Sequence, residues 1–227
     1  METILITGAS RGIGFEMTRL LVEDGRSVIA TCRNPNAAIE LRGLDDSNLN
    51  IHQLEVTDSN SIESLKLALS GVQIDVLINN AGEMGSKQQS IDDMDIDAWR
   101  HTFDVNAIAP FQISMSLLKN LKLSSRPRII SVSSQMGALS RVSSGAYAYR
   151  SSKAALNKVM QVIAKDLESE NILVCPIHPG WVQTDMGGPS ADITVNESAA
   201  GIIRFMDSMA SEQSGRFWKW NGEEHPW

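Results

Sequence analysis

Residues 3–17 read TILITGASRGIGFEM and join two unlike patterns through three glycines, Gly8, Gly12 and Gly14. Ahead of the glycines, TILIT is short, apolar and β-branched, as a buried strand is. Behind them, Phe15, Met17, Leu20 and Leu21 recur at near-helical intervals. Glycines between a strand and a helix let the backbone turn tightly and approach a pyrophosphate. The helix N-terminus adds free N–H groups and a favourable dipole. The spacing G-x-x-x-G-x-G is a variant of the dinucleotide fingerprint. No Lys-Ser/Thr pair follows the last glycine to make it a P-loop.

The alternation continues along the chain. SVIATC, NIHQLEV, IDVLIN, RIISVS and ILVCPIHP are short and rich in β-branched residues, and segments with helical spacing separate them. One such segment is 59–69, for which Ser59 or Asn60 is the expected cap. Near-continuous apolar strands predict a sheet buried on both faces, and strand–helix alternation predicts right-handed crossovers. The expectation is an α/β, single-domain Rossmann fold over residues 1–227, a doubly wound, mostly parallel sheet flanked by helices on both faces.

Composition removes several alternatives. The 227 residues are 42% hydrophobic, which excludes wholesale disorder. A formal net charge of -7 argues against a nucleic-acid or anionic-membrane binder. Cys32 and Cys175 lie in apolar, strand-like runs and read as buried small hydrophobes. The N-terminal residues show no basic run followed by a long apolar one, and no apolar stretch approaches the roughly 18 residues of a membrane helix. A soluble, cytoplasmic protein is expected. Asp93, Asp95 and Asp97 have the spacing that opens an EF-hand loop, but Ala98 stands where glycine is required. IDDMDID (91–97) therefore reads as a solvated loop leading into a helix. The four histidines are scattered, and no metal is expected.

About 20 residues beyond the glycine loop, a dinucleotide site for NAD carries an Asp or Glu on the ribose 2′-hydroxyl. Here Arg33 follows SVIATC instead. Arg33 and Arg11 suit a 2′-phosphate, so NADP(H) is preferred and NAD(H) is the lesser expectation. The competing reading is two solvent-exposed arginines.

AYAYRSSKAALNKV reads as the start of a long helix, with Tyr149 and Lys153 four positions apart on one face. Tyrosine ordinarily titrates near 10, too high for easy proton exchange at neutral pH. A lysine ammonium about 5 Å away, at an effective dielectric of about 20, favours phenolate by about 3 kcal/mol before opposing desolvation. The pair alone is weak and gains meaning only beside the glycine loop.

TGASRGIG, then NNAG (79–82), then YRSSK and PGWVQTDM together resemble the short-chain dehydrogenase/reductase family, in its order and over essentially the whole chain. AYAYRSSKAALN and the ending GRFWKWNGEEHPW are closest to its C-factor-like and sniffer-type carbonyl reductase branch. The resemblance implies an oxidoreductase acting on a small carbonyl or alcohol. It implies a cofactor loop at Thr7, Gly8, Ser10, Arg11, Gly12, Ile13 and Gly14, and adenosine-side and sheet-supporting roles for Asn79, Ala81 and Gly82. Pro179, Gly180, Val182 and Thr184 match the nicotinamide and pyrophosphate segment. The catalytic set it implies is Asn106, Ser134, Tyr149 and Lys153. Asn106 is expected to bend a helix and hold a water linked to Lys153, and Tyr149 and Lys153 also to contact the cofactor. Ser133 rivals Ser134, but Ser134 stands directly before the xxG stretch.

Three departures from the family pattern follow. Glu55 replaces an Asp beside the adenine, where Val56 still offers its backbone. Glu83 follows NNAG, either at the substrate entrance or as an exposed loop charge. The Ser134-to-Tyr149 interval is longer than the family's commonest, enlarging the loop 136–145 over the substrate. Met136, Tyr147, Trp181 and Met186 are either an apolar substrate wall or core. Residues 187–195, with Met186, read as a small lid. The segments 107–121 and 147–169 are apolar enough for a possible homodimer. A dinucleotide-sensing or signalling protein of the C-factor type, with little turnover, is the alternative function.

Overall fold

The structure is a computed structural model that describes residues 2–44 and 46–227. Seven strands form one parallel sheet in the order β3-β2-β1-β4-β5-β6-β7. They are β1 (Thr3–Thr7), β2 (Ser27–Cys32), β3 (Leu49–Gln53), β4 (Val76–Asn79), β5 (Arg128–Val132), β6 (Leu173–His178) and β7 (Trp218–Lys219). Strand order reverses between β1 and β4, where Leu5 pairs with Leu77. In such sheets the crevice beyond that reversal is where ligands bind.

The helices are α1 (Gly12–Glu23), α2 (Ile39–Arg42), α3 (Ser59–Ala68), α4 (Ile96–Phe103), α5 (Ala109–Ser116), α6 (Leu118–Leu121), α7 (Tyr147–Asp166) and α8 (Val195–Ser208). Strand side chains alternate between two cores. Leu5, Ile29, Leu77, Ile129 and Val174 pack with residues of α3, α5 and α7. Ile4, Ile6, Val28, Val76, Ile130 and Cys175 pack with residues of α1 and α8. Burial on both faces is why these strands read as near-continuous apolar runs. Cys32 and Cys175 are both buried and free.

Local structure departs from the sequence reading at three points. The cap of α3 is Asp58, whose carboxylate accepts from the Asn60 N–H; Ser59 is already helical. The segment 107–121 is not one helix. A π turn at Asp104–Ile108 precedes α5, and a break at Leu117 separates α6. The strand β7 escaped the periodicity reading because two residues are too few to show alternation. The acidic loop does lead into a helix, with Asp95 capping α4 through the Ala98 N–H.

Candidate active site

The glycine loop is built for close approach. Gly8 has φ +67, and a Cβ there would lie 2.9 Å from Ala81 Cα. At Gly14 it would lie 2.4 Å from Asn80 Nδ2 and 2.5 Å from the Gly8 carbonyl. These two glycines let the loop, the start of α1 and the turn after β4 nest together. Gly12 differs, since a Cβ there would meet only Thr184 Cγ2, at 3.6 Å. Arg11, the residue before α1, gives no side-chain cap, so the first-turn N–H groups stay open. An open cradle of donors over Gly12 and Ile13 fits a pyrophosphate.

Thr7 and Asn79 are braces within this site. The Thr7 hydroxyl oxygen accepts from the N–H groups of Asn80 and Ala81, both at 3.0 Å. Asn79 is buried in β4 and donates to Ser114 Oγ and Ser131 Oγ, which supports the sheet. Its neighbour Asn80 was missed by the motif reading. Asn80 Nδ2 donates to the carbonyls of Thr7 (2.9 Å) and Gly8 (3.1 Å) and holds the glycine loop to β4.

Beyond the loop, Ser10, Arg11, Arg33 and Asn34 line a cavity of about 460 Å³, with Ala37 to Glu40 on its other wall. Arg33 is exposed in it. Arg11 is less free than its sequence suggests, because its guanidinium pairs with Asp185 at 2.6 Å. That pair joins the glycine loop to the segment after β6. Glu55 folds back onto Thr57, accepting from its hydroxyl at 3.1 Å, and Val56 is buried in the core. At the other end Pro179 accepts from Ser198 Oγ, Gly180 has φ +91, and Val182 bridges to Ile193.

The catalytic candidates converge at the carboxyl ends of β4 and β5. The π turn carries Asn106 into the interior, fully buried, and such turns concentrate at functional sites. Asn106 Oδ1 accepts from the Glu83 N–H, while Nδ2 donates to the Glu83 carbonyl and to Ser152 Oγ. Asn106 thereby ties the turn after β4 to α7. On α7, Lys153 Nζ donates to the Val132 carbonyl at 2.8 Å and lies 5.9 Å from the centroid of the Tyr149 ring. Ser134 caps the short turn Gln135–Gly137, accepting from the Met136 N–H. Gly137 is required there, since a Cβ would lie 2.6 Å from the Lys153 backbone carbonyl carbon. The rival Ser133 is spent on Asn157, to which it donates at 2.5 Å.

Burial governs the titration of this cluster. It pushes the Tyr149 phenol above its ordinary value, while the Ser134 hydroxyl facing it pulls the other way. The net direction is opposite to the lowering expected from Lys153, because burial outweighs the Ser134 hydrogen bond. Burial also pushes Lys153 down to about 8.

One positioning residue carried no signal in the sequence. The N-terminus of α7 has no side-chain cap of its own, and Ala146 before it sits at φ 51. Gln89, buried and 60 positions away, accepts from the Tyr149 N–H at 3.1 Å. Its Nε2 donates to the carbonyls of Met84 and Ser86. Gln89 thus caps α7 from another loop. Glu83 turns its carboxylate to α4. Its carboxylate accepts from Thr102 Oγ1 at 3.0 Å and lies 3.8 Å from His101. Of the expected wall, Tyr147 turns toward Trp99, while Trp181 and Met186 are about half exposed and are not core.

A reversing parallel sheet, an open glycine cradle and a buried Tyr–Lys pair beside it are the arrangement of a dinucleotide-binding fold. The short chain dehydrogenase profile matches residues 2–194. The chain belongs to this family. It is 42% identical over 155 residues to C-signal of Myxococcus xanthus, across 68% of this chain and 93% of that protein. Among solved structures it resembles the carbonyl reductase Sniffer of D. melanogaster, with TM-score 0.96, 31% identity and complete coverage of both chains. It also resembles the NADPH-bound carbonyl reductase from chicken fatty liver, with TM-score 0.93, 34% identity and coverage of 100% and 99%.

Proposed function

We propose that this chain is an NADP(H)-dependent carbonyl reductase that converts a ketone or aldehyde to an alcohol, with Tyr149 as proton donor. The observation that carries the reading is the buried trio of Ser134, Tyr149 and Lys153 beside an open glycine cradle. When bound, the nicotinamide supplies the hydride that the carbonyl carbon accepts. Ser10, Gly12, Ile13 and Thr184 are the residues to hold its phosphates, and Arg33 the one to meet a 2′-phosphate.

The remaining chemistry belongs to the side chains. Tyr149 is held as the neutral phenol by burial, so a proton is available for the carbonyl oxygen. Ser134 donates a hydrogen bond to the same oxygen and orients it. As the phenol gives up its proton, the Lys153 ammonium stabilises the phenolate, and its pKa of about 8 suits it to return the proton near neutrality. Asn106 keeps Lys153 and the turn after β4 in register.

NADP(H) over NAD(H) rests on Arg33 in place of an acid after β2; Arg11, already engaged by Asp185, adds little to it. The similar chicken enzyme carries NADPH. A second reading, a dinucleotide-sensing signal protein, draws on the similarity to C-signal.

The test follows NADPH and NADH oxidation with a panel of aldehydes, ketones and quinones. Tyr149→Phe is expected to lose about 10²–10⁴ in turnover while still binding NADPH. Undiminished activity in that variant sinks the mechanism. Tight NADPH binding without turnover across the panel favours the signalling reading, and a preference for NADH removes the role of Arg33.

A further inference from the structure

Two loops that leave the carboxyl ends of the neighbouring strands β5 and β6 present apolar side chains to solvent. Leu139 and Val142, 83% and 99% exposed, stand on the loop after Ser134; Trp181 and Met186 stand on the loop after β6. Exposed apolar groups on adjoining loops at one edge of the sheet offer a surface for something to be bound. The first loop is held in place. The Ser140 N–H donates to the Trp227 carbonyl, and Arg150 Nε donates to that of Gly145.

Arg141 lies on the same loop and is exposed. Its guanidinium donates to the side-chain amide oxygen of Gln135, the residue after Ser134. Among the described residues, no carboxylate comes within ion-pair distance of it. Behind it, at the end of β6, His178 is buried and its Nδ1 has no hydrogen-bond partner. His178 is held near 3 by burial first, and then by His225, Arg141 and Lys219. Lys219 is answered by Glu223 at 2.7 Å. Arg141 is answered by a neutral amide alone. In a chain of net charge -7, this is an unanswered positive charge on the loop that joins Ser134 to the helix of Tyr149.

We propose that Arg141 determines specificity by pairing with the carboxylate of an amphipathic oxo acid, whose hydrocarbon chain lies against Leu139, Val142, Trp181 and Met186. The inference rests on the carbonyl-reductase reading of the site. A guanidinium fork matches a carboxylate with two parallel hydrogen bonds, and exchanging a neutral amide for an anion strengthens the contact. The exposed apolar side chains gain by covering a hydrocarbon chain.

Two measurements test it. The first is calorimetric binding of decanoate and decanamide to the NADPH-loaded protein, wild type, Arg141→Gln and Arg141→Lys. Decanoate is expected to bind about tenfold more tightly than the amide. Arg141→Gln should erase that difference and Arg141→Lys should keep part of it. Equal binding of acid and amide to the wild type overturns the proposal, as does an equal loss for both ligands in Arg141→Gln.

The second compares kcat and KM for a medium-chain oxo acid and its primary amide. Arg141→Gln should raise KM for the acid about tenfold more than for the amide, with kcat little affected. A matching change in both overturns the proposal. If the acid binds selectively and no carbonyl is turned over, the reductase reading fails while the anion site stands.

Discussion

Strand β5 has a buried cation at each end. Arg128, its first residue, is fully buried, and Nη1 donates to the Met206 carbonyl at 2.9 Å while Nη2 pairs with Glu2. Beside it Arg26 grips Asp207 with two bonds and Asp24 with one, and Arg126 donates to the carbonyls of Asp207 and Met209. At the other end the Val132 carbonyl accepts from Lys153, 4% exposed, with no carboxylate in ion-pair distance among the described residues. The amino edge of the sheet gives its buried cation a counter-charge. The carboxyl edge leaves its cation unanswered, and so titratable near neutrality. A paired charge closes a structure, whereas an unpaired one keeps proton transfer possible at a cost in stability.

The sharpest way to break this comparison is to remove each cation in turn. Arg128→Met should lower the unfolding free energy by about 3 kcal/mol, measured by urea titration, because Glu2 and the Met206 carbonyl lose their partner. A stability loss below about 1 kcal/mol would mean the amino-edge network is ornamental.

Lys153→Met should do the opposite near neutral pH, gaining about 2 kcal/mol while abolishing turnover. The sign follows from the lowered pKa. Between about 8 and the ordinary 10.5 the unfolded chain binds more protons than the folded one, so wild-type stability rises with pH across that window. The advantage of Lys153→Met should therefore shrink as pH climbs through it. A variant less stable than wild type at neutral pH would show that the hydrogen bond to Val132 outweighs the buried charge.

Gln89→Leu sharpens the comparison at smaller scale. Removing the remote cap should lower kcat about tenfold with little change in NADPH affinity. Gln89→Glu keeps an acceptor for the Tyr149 N–H and should recover part of the loss. An unchanged kcat in Gln89→Leu removes the positioning role.

Legibility in the sequence followed distance along the chain. The glycine loop was readable because its chemistry is backbone chemistry, and residues 8–14 contain all of it. Tyr149 and Lys153 were readable because four helical positions place them on one face. Asn80, Gln89 and Asp185 were not readable. Each acts on a partner 60 or more positions away, and nothing in an Asn, Gln or Asp marks which distant backbone it will meet. Thr7, expected in the cofactor loop, braces the turn after β4, and the hydrogen bonds of Asn79 lie on the sheet-supporting side of its expected role. A motif records that a residue is needed, and only packing shows whether it faces the groove or braces what does. Arg11 shows the same limit, since its partner lies 174 positions away.

The π turn at Asp104–Ile108 has a consequence for tolerance to insertion and deletion. It is a counting offset, one residue more than an α-helix needs, and α4 and α5 stand out of phase because of it. Deleting a single residue there would restore an unbroken helix and rotate one flank by about 100° against the other. Asn106 would then swing off Glu83 and Ser152. The chain would gain a more regular helix and lose the clasp between the turn after β4 and α7, so regularity and the clasp are alternatives at this one position.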